Sequence, residues 1–171
     1  MIYINIGSNI NSIYGDRFKN IQKAIFFLKK KKINIEKISD YYETPSYPNK
    51  LDPKFINIAL KINTRMNFDS LIVEIKLIEK KMGRVKTVRN APRTCDIDII
   101  DFKHMVIKKK LVILPHPRLH LRNFVLYPLK EIEPNWSHPV LNKSIDNLLS
   151  ELSHFSRMEI TRLNKSDINS K

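Results

Sequence analysis

The chain has 171 residues, 42% hydrophobic and 28% charged, a globular composition that fits one packed domain and is short for several. A single cysteine, Cys95, excludes disulfide stapling and suits a reducing cytoplasm; no run is long enough to cross a membrane or reads as a secretory signal. The formal net charge of +14 points to a polyanionic partner, yet Lys, Ile and Asn abound throughout while Gly is scarce, which reads as a compositional bias of the whole chain.

Residues 1–6 read as a strand at once. Residues 16–30 carry Ile21, Ala24, Ile25 and Leu28 as the apolar stripe of a helix. Residues 33–42 read as a second strand, and after a Pro-rich loop Ile56, Ile58, Leu60 and Ile62 alternate with Asn57, Ala59, Lys61 and Asn63 as a third. Asn67-Phe68-Asp69 opens a helix that runs through Met82, with Leu71, Ile75 and Ile78 on one face and Gly83 as its stop. A basic loop over 84–92 leads to a strand over 95–102. A return strand near 106–114, a Pro-rich segment and short helices near 123–131 and 144–152 follow. The order βαββαβ predicts an α+β, ferredoxin-like sandwich with helices on one face of the sheet, additional strands and short C-terminal helices. One domain over 1–163 is expected, with a polar, frayed tail over 164–171.

The strand over 95–102 carries the sharpest chemical signal. Side chains alternate along a strand, so Cys95, Ile97 and Ile99 can face a core while Asp96 and Asp98 project together from the other face. Two like charges so close need a cation between them. Oxygen ligands without a dense Cys/His set fit magnesium or manganese, which bridge carboxylates and substrate phosphates. Arg84, Arg89, Arg93, Arg118 and Arg122 lie around or just after the pair, and the planar guanidinium fork suits phosphate. Gly7-Ser8-Asn9 is a turn in which Gly permits close backbone approach and Asn tolerates a left-handed conformation. It lacks the glycines of a dinucleotide-binding turn and the Gly-Lys-Ser/Thr of a phosphate-binding loop. Tyr42-Glu43-Thr44-Pro45 with Phe55-Ile56-Asn57 combines a rigid turn, an aromatic ring and an amide, a set able to clamp a flat heterocycle. His116 and His120 are four apart, but no glutamate lies between them in the metalloprotease pattern.

These segments, together with Gly83-Arg84, the run Ala91-Pro92-Arg93-Thr94-Cys95-Asp96-Ile97-Asp98 and Pro115-His116-Pro117-Arg118-Leu119-His120, stand in the order seen in the 6-hydroxymethyl-7,8-dihydropterin pyrophosphokinases of the folate pathway. The chain resembles that family over about residues 1–134. The resemblance implies transfer of the diphosphate of ATP to the pterin hydroxymethyl oxygen with release of AMP, and two magnesium ions on Asp96 and Asp98; a cytoplasmic monomer is expected. It places Arg84 and Arg93 on the triphosphate, joined by Glu79, His116 and Arg122. Phe55 and Phe124 would stack the pterin, with Thr44, Pro45 and Tyr47 as walls and Asn57 reading its polar edge. The loop over 84–92 would close over both substrates. Two departures from the family, Asn90 in place of an aromatic and Lys76 in place of a glutamine, bear on loop closure and nucleotide affinity. The competing readings are a ferredoxin-like nucleic-acid-binding module and another magnesium-dependent phosphoryl or nucleotidyl transferase. Against nucleic acid stand the two carboxylates on the sheet and the lack of a spaced aromatic pair.

Overall fold

β1 (Ile2–Ser8) is buried at every residue because it is covered on both edges and both faces. It pairs antiparallel with β4 (Phe55–Asn63) on one side and β5 (Asp96–Phe102) on the other. The structure is a computed structural model and describes residues 1–84, 91–109 and 112–163. The expectations for Arg89, Asn90, most of the basic loop and the tail over 164–171 fall outside the described residues.

α1 (Arg17–Lys30) starts at Asp16, whose side chain accepts from Lys19 N, and α2 (Phe68–Lys81) starts at Asn67, whose side chain accepts from Ser70 N. Each cap satisfies an amide left unpaired at a helix start. Both helices lie on one face of the sheet, where Ile21, Ala24, Leu28, Leu71, Ile75 and Ile78 pack against Ile4, Ile6, Ile58, Leu60 and Ile97. Gly83 follows at φ +83°, a left-handed conformation that favours glycine.

The structure corrects three expectations. Residues 33–42 form two strands, β2 (Asn34–Ile38) and β3 (Tyr41–Thr44), which share the free edge of β4. The break is at Ser39, whose N–H donates to Ala59 O (3.0 Å) while its hydroxyl accepts from Ala59 N (2.9 Å). The return strand near 106–114 is a hairpin, β6 (Ile107–Lys109) and β7 (Val112–Leu114), that forms its own two-stranded sheet. Helices also cover both faces. α3 (Asn123–Ile132) and α4 (Ile145–Glu151) bury Val125, Leu126, Leu129 and Leu148 with Trp136 against Tyr3, Ala59 and Ile100 on the face opposite α1 and α2. The polar positions of β4 misled the one-sided reading. Ala59 is small enough for a helix to approach, and Lys61, 8% exposed, is neutralised by Glu133 at 2.7 Å. Two elements went unforeseen, α5 (His154–Met158) and β8 (Thr161–Leu163), the latter pairing with β3.

The main sheet runs β5-β1-β4-β3-β8, with β2 also on β4, the antiparallel order of a ferredoxin-like sandwich with an added edge strand. Between β1 and β5 the register shifts at Tyr3/Ile4 and leaves Ile100 as the extra residue. The bulge lets Asp101 follow Ile100 onto the α3 face, opposite Tyr3. There Asp101, 1% exposed, accepts from Trp136 Nε1 (2.8 Å) and from His104 N (2.7 Å).

A buried carboxylate that loses a donor is costly. Trp136→Phe is therefore expected to lower unfolding free energy by about 2 kcal/mol, read as a lower urea midpoint at unchanged slope; an unmoved midpoint would show that Asp101 does not depend on this bond.

Candidate active site

The antiparallel register assembles the site at one end of the adjacent strands β4, β1 and β5. Gly7 of β1 stands opposite Asn57 of β4 and Asp96 of β5, while Asn5, one row down, stands opposite Asp98. Asp96 and Asp98 are two apart on one strand and share a face, as alternation requires, while Ile97 between them is buried among α2 residues. A side chain at position 7 would come within 3.0 Å of Asn57 Oδ1 and 3.5 Å of the Phe55 ring. The missing Cβ is what lets the amide and the aromatic lie over β1.

These residues open on a cavity of about 450 Å³. Thr44, Pro45 and Tyr47 form one wall, Phe55 and Asn57 the floor, and Arg122 and Phe124 at the start of α3 the far side. Arg93, Asp96 and Asp98 line the same space. Asn57 Nδ2 donates to Thr44 Oγ1 (3.1 Å), which fixes the amide and leaves its carbonyl oxygen over Gly7. The Arg122 guanidinium lies 5.4 Å from the Phe124 ring centre and that of Arg93 lies 5.9 Å from Phe55, stacking that orders both cations.

A second cleft of about 390 Å³ adjoins the first through Asp98. It is bounded by Ile72, Lys76, Ile99, Ile113 and His116, a largely apolar lining with two basic side chains. His116 Nδ1 accepts from Arg118 N (3.0 Å), so the neutral ring carries its proton on Nε2. Burial, with Arg122 and Arg118 nearby, pulls the His116 pKa down to about 4. The imidazole is therefore a neutral donor at physiological pH.

The carboxylates are held by arginines. Arg84 reaches Asp96 Oδ1 at 2.6 Å, Arg93 reaches Asp96 Oδ2 at 2.8 Å, and Arg122 lies 3.6 Å from Asp98 Oδ2. Burial, then the charge of Asp96, pushes the Asp98 pKa up to about 6 against the opposing pull of Arg122. Glu79 lines neither cavity. It is buried on α2, accepts from Ile97 N of β5 (2.8 Å) and from Lys76 Nζ (2.8 Å), and pairs with Arg84. The structure thus brings the expected residues into two adjoining spaces, with Arg84 and Glu79 as their support.

Asp96 and Asp98 are 24% and 37% exposed at the side chain. Among the described residues no third His, Cys, Asp or Glu joins them. Two oxygen donors facing one cavity, with the remaining positions left to phosphate and water, fit magnesium.

Sequence reasoning undervalued Asn9, seen as a residue that tolerates a left-handed turn. It does not have positive φ; its buried side chain is a clamp. Nδ2 donates to Ser46 Oγ (3.2 Å) and Pro53 O (3.1 Å), and Oδ1 accepts from Arg93 N (2.7 Å), which ties both ends of the Pro-rich loop to the Arg93 segment. Arg118, Leu121, Lys50, Ser156 and Glu159 also line the larger cavity. Arg118 was visible among the basic residues after the Asp pair, whereas nothing local to Ser156 or Glu159 marks them.

A family model described as 7,8-dihydro-6-hydroxymethylpterin-pyrophosphokinase matches residues 3–134. The chain is 40% identical over 150 residues to the Aquifex aeolicus 2-amino-4-hydroxy-6-hydroxymethyldihydropteridine pyrophosphokinase, covering 88% of this chain and 91% of that protein. It is 38% identical over 131 residues to the Bacillus subtilis protein of the same name, covering 76% of each. The folic acid synthesis protein FOL1 of Dictyostelium discoideum is 41% identical over 143 residues, but this chain spans 21% of its length. In the crystal structure of Plasmodium falciparum HPPK-DHPS A437G/K540E with pterin and p-hydroxybenzoate, the matched part superposes with a TM-score of 0.70 at 16% identity. The match covers 94% of this chain and 46% of that one, and it shows the fold.

The Asp98 pKa, raised from 3.8 to about 6, has a consequence for stability. Below pH 4 the carboxyl is protonated in both folded and unfolded chains; between 4 and 6 the unfolded chain ionises first, so the folded state loses stability, fully so above 6. Asp98→Asn is expected to raise the unfolding free energy at pH 7–8 in metal-free buffer by on the order of 1 kcal/mol once solvent screening of a partly exposed group is allowed for, read as a higher melting temperature. The gain should vanish near pH 4. A gain that is constant across this range would rule out a raised Asp98 pKa.

Proposed function

The chain belongs to the 7,8-dihydro-6-hydroxymethylpterin-pyrophosphokinase family, a pyrophosphokinase of folate biosynthesis, and from that premise we propose how its two adjoining cavities divide the reaction. The observation that carries the reading is that Asp98 lines both. The larger cavity takes the pterin and the smaller the nucleoside end of ATP, so the phosphates cross the Asp96/Asp98 pair.

The pterin ring is held between Phe55 and Phe124 by stacking, and the Asn57 carbonyl, locked by Thr44, accepts from its amino edge. Pro45 and Tyr47 close the wall. Arg84 and Arg93 donate to the triphosphate, His116 adds a neutral N–H, and Arg122 covers the approach to the β-phosphorus. Glu79 acts through Arg84, since its carboxylate is anchored below the cavity. Asp96 and Asp98 would hold two magnesium ions, which would supply charge neutralisation at the phosphates and lower the pKa of the hydroxymethyl group. The hydroxymethyl oxygen attacks the β-phosphorus and loses its proton to solvent, while the bond to the bridging oxygen of the α-phosphate breaks and AMP departs. Positioning and charge compensation suffice; no protein nucleophile enters.

We place this activity in one domain over 1–163, in a cytoplasmic monomer. Among the described residues no helix is long and apolar enough to cross a membrane. A nucleic-acid platform is not favoured: α3 and α4 cover the sheet face that bases would need.

With ATP and magnesium, AMP release is expected to depend on 6-hydroxymethyl-7,8-dihydropterin, with AMP and ADP resolved by chromatography. ADP as product would overturn the reading. Asp96→Ala and Asp98→Ala should each lower the rate at least 1000-fold (~4 kcal/mol) in a chain that still folds by circular dichroism. Asn57→Ala should raise KM for the pterin about 10- to 100-fold, the cost of one lost buried hydrogen bond; an unchanged KM would sink the role given to this amide.

A further inference from the structure

The cavity has a wall that lies outside the matched stretch of residues 3–134. Ser156 and Glu159, in and just after α5, line it together with Lys50 of the Pro-rich loop. α5 is tied to both sides of the cavity. On one side Asn123 Nδ2, buried between Arg122 and Phe124 in sequence, donates to Ser156 O at 2.6 Å. On the other, Lys50 Nζ pairs with Glu159 Oε1 and sits 4.0 Å from the centre of the Phe155 ring.

The loop over 45–53 needs such a tie. Its base is pinned, since Ser46 Oγ and Pro53 O both accept from Asn9 and Ser46 Oγ also donates to Pro53 O at 2.5 Å. Its tip is outward, with Tyr47 74% and Leu51 94% exposed. Asn49 and Asp52 bond to each other and brace the tip internally, but the contacts that carry it back to the body run through Lys50 to α5. The cation is shared by a carboxylate and an aromatic face.

We infer that Lys50, Glu159 and Phe155 form a latch by which α5 positions the Pro-rich loop, and with it Tyr47, against the pterin end of the cavity. Glu159 and Lys50 are positioning residues that set affinity for the pterin and leave the phosphate end untouched. The inference rests on the reading of this cavity as the pterin site. An exposed ion pair with a cation–aromatic contact is worth a few-fold in an equilibrium constant, which sets the size of the effect.

The test uses the full chain and the Michaelis constants of pterin-dependent AMP release. Lys50→Met and Glu159→Gln are each expected to raise KM for the pterin 3- to 10-fold, with kcat and KM for ATP within two-fold of the parent. The charge-reversed pair Lys50→Glu/Glu159→Lys, which restores the ion pair without the Phe155 contact, should restore part of the loss, with KM for the pterin below that of either single variant. An unmoved KM in either single variant, a parallel rise in KM for ATP, or failure of the reversed pair to restore would overturn the latch while the parent enzyme remains a pyrophosphokinase. A parent chain with no pterin-dependent turnover would instead overturn the pterin site itself, and the latch with it.

Discussion

Two carboxylates on one face of one strand are the constraint around which this structure is organised. Asp96 and Asp98 repel each other, and the Asp98 pKa is raised by burial first and by that repulsion second. Three arginines from three places in the chain meet them: Arg84 after α2, Arg93 before β5, Arg122 before α3. Each must be held in turn. Glu79, buried and bonded to the backbone of β5, fixes Arg84; Asn9 fixes the Arg93 segment; the Phe124 ring orders Arg122. The arginines that neutralise the pair carry the planar fork that suits phosphate oxygens.

The sheet supplies the rigidity this arrangement needs. β1 is buried throughout and paired on both edges, so the rows that align Gly7 with Asn57 and Asp96 are set by backbone hydrogen bonds that no surface change perturbs. The walls come from segments distant in the chain. The Pro-rich loop is anchored at its base by Asn9, and α5 reaches it from the far end of the chain. A floor fixed by strand pairing suits a site that must hold two substrates in register and exclude water around them.

Much of this was legible in the sequence. The apolar stripes of α1 and α2, the opening of α2 at Asn67 and the Gly83 stop are local signals with local causes, and they hold within a residue or two. The Asp-x-Asp alternation placed both carboxylates on one face, and the resemblance gathered the residues that line the cavities. The errors share a physical origin. Ser39 breaks a strand because of a bond to Ala59, twenty residues away; residues 106–114 turn back on themselves; and β4 looks half-solvated although α3 covers it, because Lys61 finds Glu133 across 72 residues.

By itself, then, the sequence determined the element types, the α+β order, the carboxylate pair and the cationic residues that answer it, because periodicity, capping and alternation act over a few residues. The tertiary structure decided which faces are covered, that Asp98 is common to two cavities, that Asn9 clamps three segments, and that Glu159 stands beside Lys50. Those facts depend on contacts between residues distant in the chain, whose pairing follows from register and packing and leaves no mark on the local pattern.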